Sequence, residues 1–199
     1  MIISTTNTVV DSDMTKEEIL TQNPENPAPD DVLSSLGILT VEYYSFDGEL
    51  HNGQIVINKN VISDVEQFFK MSLEIKFPIE KVIPISNKKY KWDDELSCGD
   101  NNSSGYNYRL IAGTNKMSNH AKGLAFDINP VQNVYIKYDK DMREIFRFPK
   151  KSIYREQNSG TLTKNHPLVI LMKNIGWDWG GDWTKESGRT DYQHFEKNI

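Results

Sequence analysis

Two separated stretches carry donor atoms at spacings suited to a divalent metal. His120 and Asp127 bracket "SNHAKGLAFD" at residues 118–127, and Asp191 and His194 stand three residues apart in "TDYQHFE" near the end of the sequence. Two neutral imidazoles and one carboxylate leave a Zn²⁺ centre at net +1. They also keep a fourth position open for a water whose pKa falls to about 7. That charge resolves an oddity in the first stretch. Asp127 sits within the apolar alternation Leu124, Phe126, Ile128, and a buried carboxylate is costly unless something positive meets it. A lone His-x₆-Asp pair is weak, being common as surface decoration. The second cluster, beside an aromatic, raises its standing.

Elements must bring these stretches together. "GILTVEYYSFDGELHNGQIVIN" has strand-like runs split by Asp47-Gly48 and Asn52-Gly53, both turn signals. "NVISDVEQFFKMSLEI" places apolar residues at 61, 65, 68 and 69, a helical stripe. "FPIEKVIPI", "YNYRLIAG" and "GLAFDIN" read as strands. Residues 86–105 read as a long polar loop, of the kind that often carries function. Residues 131–164 read as irregular. "NHPLVILMKNIGW" is a helix with Asn165 near its cap, Pro167 in its first turn and Gly176 closing it. "TDYQHFEKNI" is a short turn and strand. Strands and helices do not alternate regularly, which favours an α+β fold.

Residues 1–36 differ in composition. They are acidic, broken by prolines and nearly free of aromatics. Thr15 with Glu18 forms a capping box for one short helix. The rest is expected to be a flexible N-terminal arm or linker, with a catalytic domain over 37–199. The start lacks the basic and apolar regions of a signal peptide. Three options stay open: a cytosolic protein, another export route, or a leader already removed.

Bulk numbers exclude several classes. With 199 residues, 37% apolar and 26% charged, the chain reads as a soluble globular protein with a real core. No stretch approaches the ~20 apolar residues of a membrane span. A net charge of −5 disfavours nucleic acid as a partner. The one cysteine, Cys98, forms no intrachain disulfide and has no adjacent base to make it a nucleophile.

"SNHAKGLAFDINP" resembles the S-x-H-x-x-G-x-A-x-D signature of the M15 family of zinc peptidases. "GWDWGGDWTKESGRTDYQHFE" is similar to that family's closing block. "FDGELHNGQIVIN", "FPIEKVIPI" and "NNSSGYNYRLIAGT" extend the resemblance upstream, to about residues 40–199. They are similar to the subgroup of D-alanyl-D-alanine carboxypeptidase-like and L-alanyl-D-glutamate endopeptidase-like enzymes. The resemblance implies a small α+β domain of hedgehog/DD-peptidase-like fold, an antiparallel sheet with flanking helices, acting on peptidoglycan stem peptides. It makes His120, Asp127 and His194 the ligands of one Zn²⁺ and Asp191 the catalytic acid/base. Arg109 falls where the subgroup keeps an arginine suited to an oxyanion or a substrate carboxylate, with a surface salt bridge as the alternative. Ser118 and Trp183 are implied substrate contacts, and Trp177 and Trp179 read as packing. His51 and His166 are not expected to be ligands. Asn133-Val134 departs from the subgroup's second Asn-Pro, which affects the following loop rather than the metal. The expected protein is a monomer acting at the bacterial cell wall, in the periplasm or outside the cell. Endopeptidase and carboxypeptidase remain open, as does a catalytically inactive, zinc-stabilised module that binds wall peptides.

Overall fold

The computed structural model describes residues 8–111 and 113–199, so the first seven residues of the expected arm and Ala112 of "YNYRLIAG" lie outside the described residues. From residue 8 on, the N-terminal segment makes regular contacts with residues beyond 36. Strand β1 (Val9–Val10) pairs in parallel with residues 51–52. Helix α1 (Lys16–Ile19) carries the expected Thr15–Glu18 capping box and buries Ile19. Helix α2 (Asp30–Ser35) follows. Ile19 and Ala28 join Leu36, Val56 and Tyr106 in a satellite core. Polar groups complete the docking. Gln54 Oε1 accepts from Ser12 Oγ at 2.7 Å and Met14 N at 2.8 Å, and Asn26 Nδ2 donates to the Tyr108 carbonyl at 2.8 Å. Composition suggests a segment with little to bury, but Ile19, Ala28 and Leu36, with Met14, Leu20, Val32 and Leu33 packed beside them and the paired polar side chains, seat it.

Strand β2 (Leu36–Tyr44) and strand β3 (Leu50–Asn58) form an antiparallel hairpin turning at Asp47-Gly48. Asn52-Gly53 is not a turn. It lies inside β3, where the Val82 carbonyl occupies the space a Cβ would need. Helix α3 (Ile62–Glu74) forms where the apolar stripe predicts it and buries Val65, Phe68 and Phe69. Strand β4 (Lys81–Val82) is only two residues of the run expected in "FPIEKVIPI".

The polar loop 86–105 contains helix α4 (Asp94–Gly99), capped by Asp93, and strand β5 (Asn102–Ser103). "YNYRLIAG" forms no strand among its described residues beyond an isolated bridge, Leu110 to Met117. Strand β6 (Ala125–Asp127) follows. The stretch expected to be irregular holds a hairpin of strand β7 (Tyr135–Tyr138) and strand β8 (Glu144–Phe148). Helix α5 (Pro167–Asn174) begins at His166, whose side chain caps it in place of Asn165. Strands β9 (Asp178–Trp179), β10 (Arg189–Asp191) and β11 (His194–Glu196) end the chain.

The architecture is mixed α and β, with a few short helices among small sheets. Instead of the one antiparallel sheet expected, the described residues form three three-stranded sheets, β1-β3-β2, β10-β7-β8 and β6-β11-β9, and a parallel pair β4-β5. The apolar faces of the β2–β3 hairpin and of β6-β11-β9 meet α3 and α5 in a common core. Phe68 packs edge-on against Phe126 and Phe195, with ring centroids 5.3 and 5.6 Å apart. This core fixes the backs of β6 and β11, whose fronts carry the site.

Candidate metal centre

The β6–β11 register accounts for Asp127. Phe126 pairs with Phe195, and the two rings stack at 5.2 Å on the core face. Their neighbours Asp127 and His194, also directly paired, therefore project from the opposite face. His120 arrives from a separate element, the 3-10 turn Asn119–Lys122. Ser118 caps that turn, its Oγ accepting from His120 N at 3.2 Å. Gly123 closes it at φ +65°, with the Asn58 nitrogen 2.6 Å from where a Cβ would stand.

His120, Asp127 and His194 are all buried, and one ligand atom from each lies within 4.8 Å of the others. Asp127 Oδ1 is 3.1 Å from His194 Nδ1, and Oδ2 is 3.3 Å from His120 Nε2. His120 Nε2 and His194 Nδ1 are 3.1 Å apart. The outward nitrogens are both tied down. His120 Nδ1 donates to the Gly105 carbonyl at 2.6 Å, and His194 Nε2 donates to Glu196 Oε2 at 3.1 Å. Glu196 is itself held by Asn119 Nδ2 at 2.9 Å. With protons fixed on the outward nitrogens, the inward ones present lone pairs to a common point. That is how a ligand histidine is oriented. The donor set, two imidazoles and one carboxylate, fits Zn²⁺ with a position to spare.

Electrostatics agree with this convergence. Burial disfavours the charged Asp127 carboxylate, but the charges and hydrogen bonds of His120 and His194 outweigh it and hold the group well below the usual carboxylate range. Burial also disfavours the His194 imidazolium. Hydrogen bonds to Asp127 and Glu196 win and raise that ring to about 10. Without a cation, a proton must stand in for one between these groups.

Asp191 lines the same cavity, which measures about 380 Å³. Its Oδ1 is buried with no hydrogen-bond partner among the described residues. Burial, opposed by His194 and reinforced by the Asp127 charge, pushes its pKa up to about 7. Gly180 packs against the Asp191 backbone, whose carbonyl lies 2.4 Å from where a Cβ would stand, so only glycine lets β10 come this close.

Arg109, Ser118 and Trp183 also line the cavity. The Arg109 Nε is 2.5 Å from Asp94 Oδ2, so this guanidinium already has a carboxylate. The Ser118 oxygen is engaged by its cap, leaving its hydrogen available to donate into the cavity. The Trp183 ring lies 5.4 Å from the His194 ring. His51 and His166 lie elsewhere. His51 sits between Asp11 and Asp47, and His166 caps α5.

Sequence reasoning missed the Gly105 carbonyl, the buttressing role of Glu196, and the β7–β8 hairpin that adds Tyr135, Lys137, Phe146 and Phe148 to the cavity wall. Two of these had a signal. His194 and Glu196 share a strand face by period two, and "VYIKYDKDMREIFRF" brackets an Asp-containing turn with aromatic-rich runs. A backbone carbonyl leaves none.

Residues 112–197 match a family model described as D-alanyl-D-alanine carboxypeptidase, which supports the M15 peptidase family. The matched stretch contains His120, Asp127, Asp191 and His194, whereas Arg109 lies before it. Comparisons with curated proteins and with solved structures return no match.

Proposed function

We propose that this chain is a zinc-dependent peptidase that hydrolyses peptide bonds in peptidoglycan stem peptides, as an L-alanyl-D-glutamate-type endopeptidase or a D-alanyl-D-alanine carboxypeptidase. The observation that carries the reading is the convergence of His120, Asp127 and His194 beside Asp191, whose Oδ1 has no hydrogen-bond partner among the described residues, in one open cavity. A protein using such a site only to bind peptides has no need of an unpaired buried carboxylate, which is costly to keep.

A zinc ion held by the three ligands supplies Lewis-acid polarisation and an acidified water. The chain's own residues supply the rest. Gly105 and Glu196 keep the two imidazoles in the tautomers that ligate. Asp191, with a pKa near neutrality, takes the attacking water's proton at its free carboxylate oxygen and returns it to the leaving amine nitrogen. Arg109, fixed by Asp94, holds a positive charge on the cavity wall where the scissile carbonyl's oxygen becomes negative. The Ser118 hydroxyl and the Trp183 ring contact the peptide. In this reading the protein works as a monomer at the bacterial cell wall.

The test is mass spectrometry of muropeptides before and after digestion with zinc-loaded protein. Loss of a terminal D-alanine identifies a carboxypeptidase, and release of the stem after L-alanine identifies an endopeptidase. Full zinc with no new fragment from any wall peptide would overturn the enzymatic reading in favour of a binding module.

A further inference from the structure

The sheet β10-β7-β8 presents one face to the cavity, and its register orders that face into two rows. Asp191 pairs with Tyr135, which pairs with Phe148; Arg189 pairs with Lys137, which pairs with Phe146. All six side chains line the cavity, as directly paired and alternate residues on one face must. The intervening Thr190 and Ile136 are buried behind it. The first row belongs to the reaction centre. The second has no task in the mechanism above.

That second row sets two cations directly opposite each other, an arrangement that destabilises a sheet unless something offsets it. Neither Arg189 nor Lys137 makes an ion pair among the described residues. Aromatic faces hold them instead. The Arg189 guanidinium carbon lies 4.4 Å from the Trp183 ring centroid, and Lys137 Nζ lies 5.7 Å from that of Tyr135 and 5.5 Å from that of Phe146. A π-face attracts a cation without engaging most of its N–H donors. The row therefore offers two oriented positive charges with donors to spare; the Asp191 carboxylate, in the same cavity, feels Arg189 through space but forms no ion pair with it. Arg109 is differently placed, since its Nε already lies 2.5 Å from the Asp94 carboxylate in an ion pair.

We infer that Arg189 and Lys137 form a carboxylate-binding subsite that selects the substrate, engaging an acid group about 7 Å along the sheet from Asp191, two residues at strand rise. The inference rests on the peptidase reading. In a stem peptide the carboxylate has two sources, the α-carboxylate of an internal D-glutamate and the terminal carboxylate of D-alanine. Either suits a guanidinium fork beside an ammonium.

The experiment uses three synthetic peptides: L-Ala-γ-D-Glu-L-Lys-D-Ala-D-Ala, the same chain with D-isoglutamine, and the same chain with a C-terminal amide. Cleavage by zinc-loaded protein is followed by mass spectrometry for wild type, Arg189→Met, Lys137→Met and the double variant, with zinc content and melting temperature as controls. One of the two amidations should lower wild-type kcat/KM at least tenfold, chiefly through KM, and so name the source. In the double variant that same amidation should have no further effect, and Arg189→Lys should restore part of the discrimination. Equal handling of all three peptides by wild type overturns the subsite while leaving the peptidase reading intact. So does discrimination that survives in the double variant. If none of the three is cut, calorimetric binding to the zinc-loaded protein decides: tighter binding of the acid than of one amide upholds the subsite, and equal or undetectable binding overturns it. The amidation comparison in wild type does not depend on any variant folding.

Discussion

Two histidine–carboxylate clusters stand among the described residues, and of these only one presents three ligand atoms that could hold a metal ion. His51 lies between Asp11, 2.9 Å from Nδ1, and Asp47, 3.0 Å from Nε2. Tyr43 donates its hydroxyl to the same Asp11 carboxylate and accepts from Val82 N. Both ring nitrogens of His51 are spent on carboxylates, so no lone pair is left to converge with another. The cluster ties β1 to the β2–β3 hairpin. In the other cluster each histidine spends one nitrogen on an anchoring acceptor and turns the second toward Asp127. Burial and nearby acids are common to both. What separates a strut from a ligand set is where the second nitrogen points, and that follows from the partner on the first.

The sharpest way to break this comparison is to remove ligands. His120→Ala, Asp127→Ala and His194→Ala should each strip most of the zinc and abolish peptide hydrolysis, whereas His51→Ala and His166→Ala should keep zinc at the wild-type ratio. Elemental analysis of the five purified variants decides it, and full zinc in the first three would end the assignment.

Next in size is Asp191→Asn. The amide is nearly isosteric and should preserve zinc and fold. It cannot take a proton from water, so turnover should fall about 10⁴-fold, the upper end of what general acid–base catalysis contributes. Zinc must be measured on the same sample, because His194 is only three residues away. Near wild-type cleavage by a zinc-replete variant would show that Asp191 is not the base.

Glu196→Gln should act more mildly, through His194. Loss of such a partner lowers metal affinity about 10–100-fold, readable by competition with a chromogenic chelator. An unchanged affinity would make Glu196 a bystander.

The N-terminal strut should respond in stability and not in metal. Ile19→Ala, in the satellite core, should cost about 2–4 kcal/mol, or a melting temperature lower by roughly 4–16 °C in a chain of this size. Zinc content should stay full. Deletion of residues 1–36, harmless if they were a loose arm, should lower the melting temperature further. No change in melting temperature on deletion would mean the docking seen here contributes nothing.

The last test compares the two clusters by pH. His194 is raised in the folded, metal-free protein to about 10, above the unfolded value near 6.5. Its stabilisation is therefore fully present below pH 6.5 and is lost as pH rises through 10. His51 is also raised: burial opposes its charge, but Asp11 and Asp47 outweigh it, so its contribution fades in the same direction. Zinc requires neutral His194 and has no bearing on His51. Melting curves between pH 6 and 10.5 should fall with pH in chelated protein and fall less with zinc bound. Identical slopes would place the pH dependence outside the metal cluster.

Much of the site was legible in the sequence because chemistry and period two act locally. Asp127 among Leu124, Phe126 and Ile128 is an exception to alternation only until the strand's two faces are counted. The Thr15–Glu18 cap and the α3 stripe are equally local, decided within one or two turns. The failures were of another kind. Asn52-Gly53 reads as a turn by composition, yet it lies mid-strand, because the hairpin's register is set at Asp47-Gly48 and Gly53 admits the Val82 backbone. Residues 135–148 lack a clean alternation, since Lys137 shares the cavity face with Phe146 and Phe148 while Ile145 is exposed on the other side. Residues 8–36 look unable to bury anything until Gln54 and the satellite core are in view.

By itself, the sequence determined the mixed α and β character, the helix over residues 62–74 and the identity of the donor atoms, because side-chain chemistry and strand or helix period are properties of neighbouring residues. Only the tertiary structure decided which donors converge. Pairing β6 with β11 put His194 opposite Asp127, and a buried 3-10 turn carried His120 to both. The Gly105 carbonyl that fixes His120, and the row of Arg189 and Lys137 beside the centre, arise from contacts between segments far apart in the chain. Which segments meet is set by how the apolar faces share one core, and no local pattern encodes that.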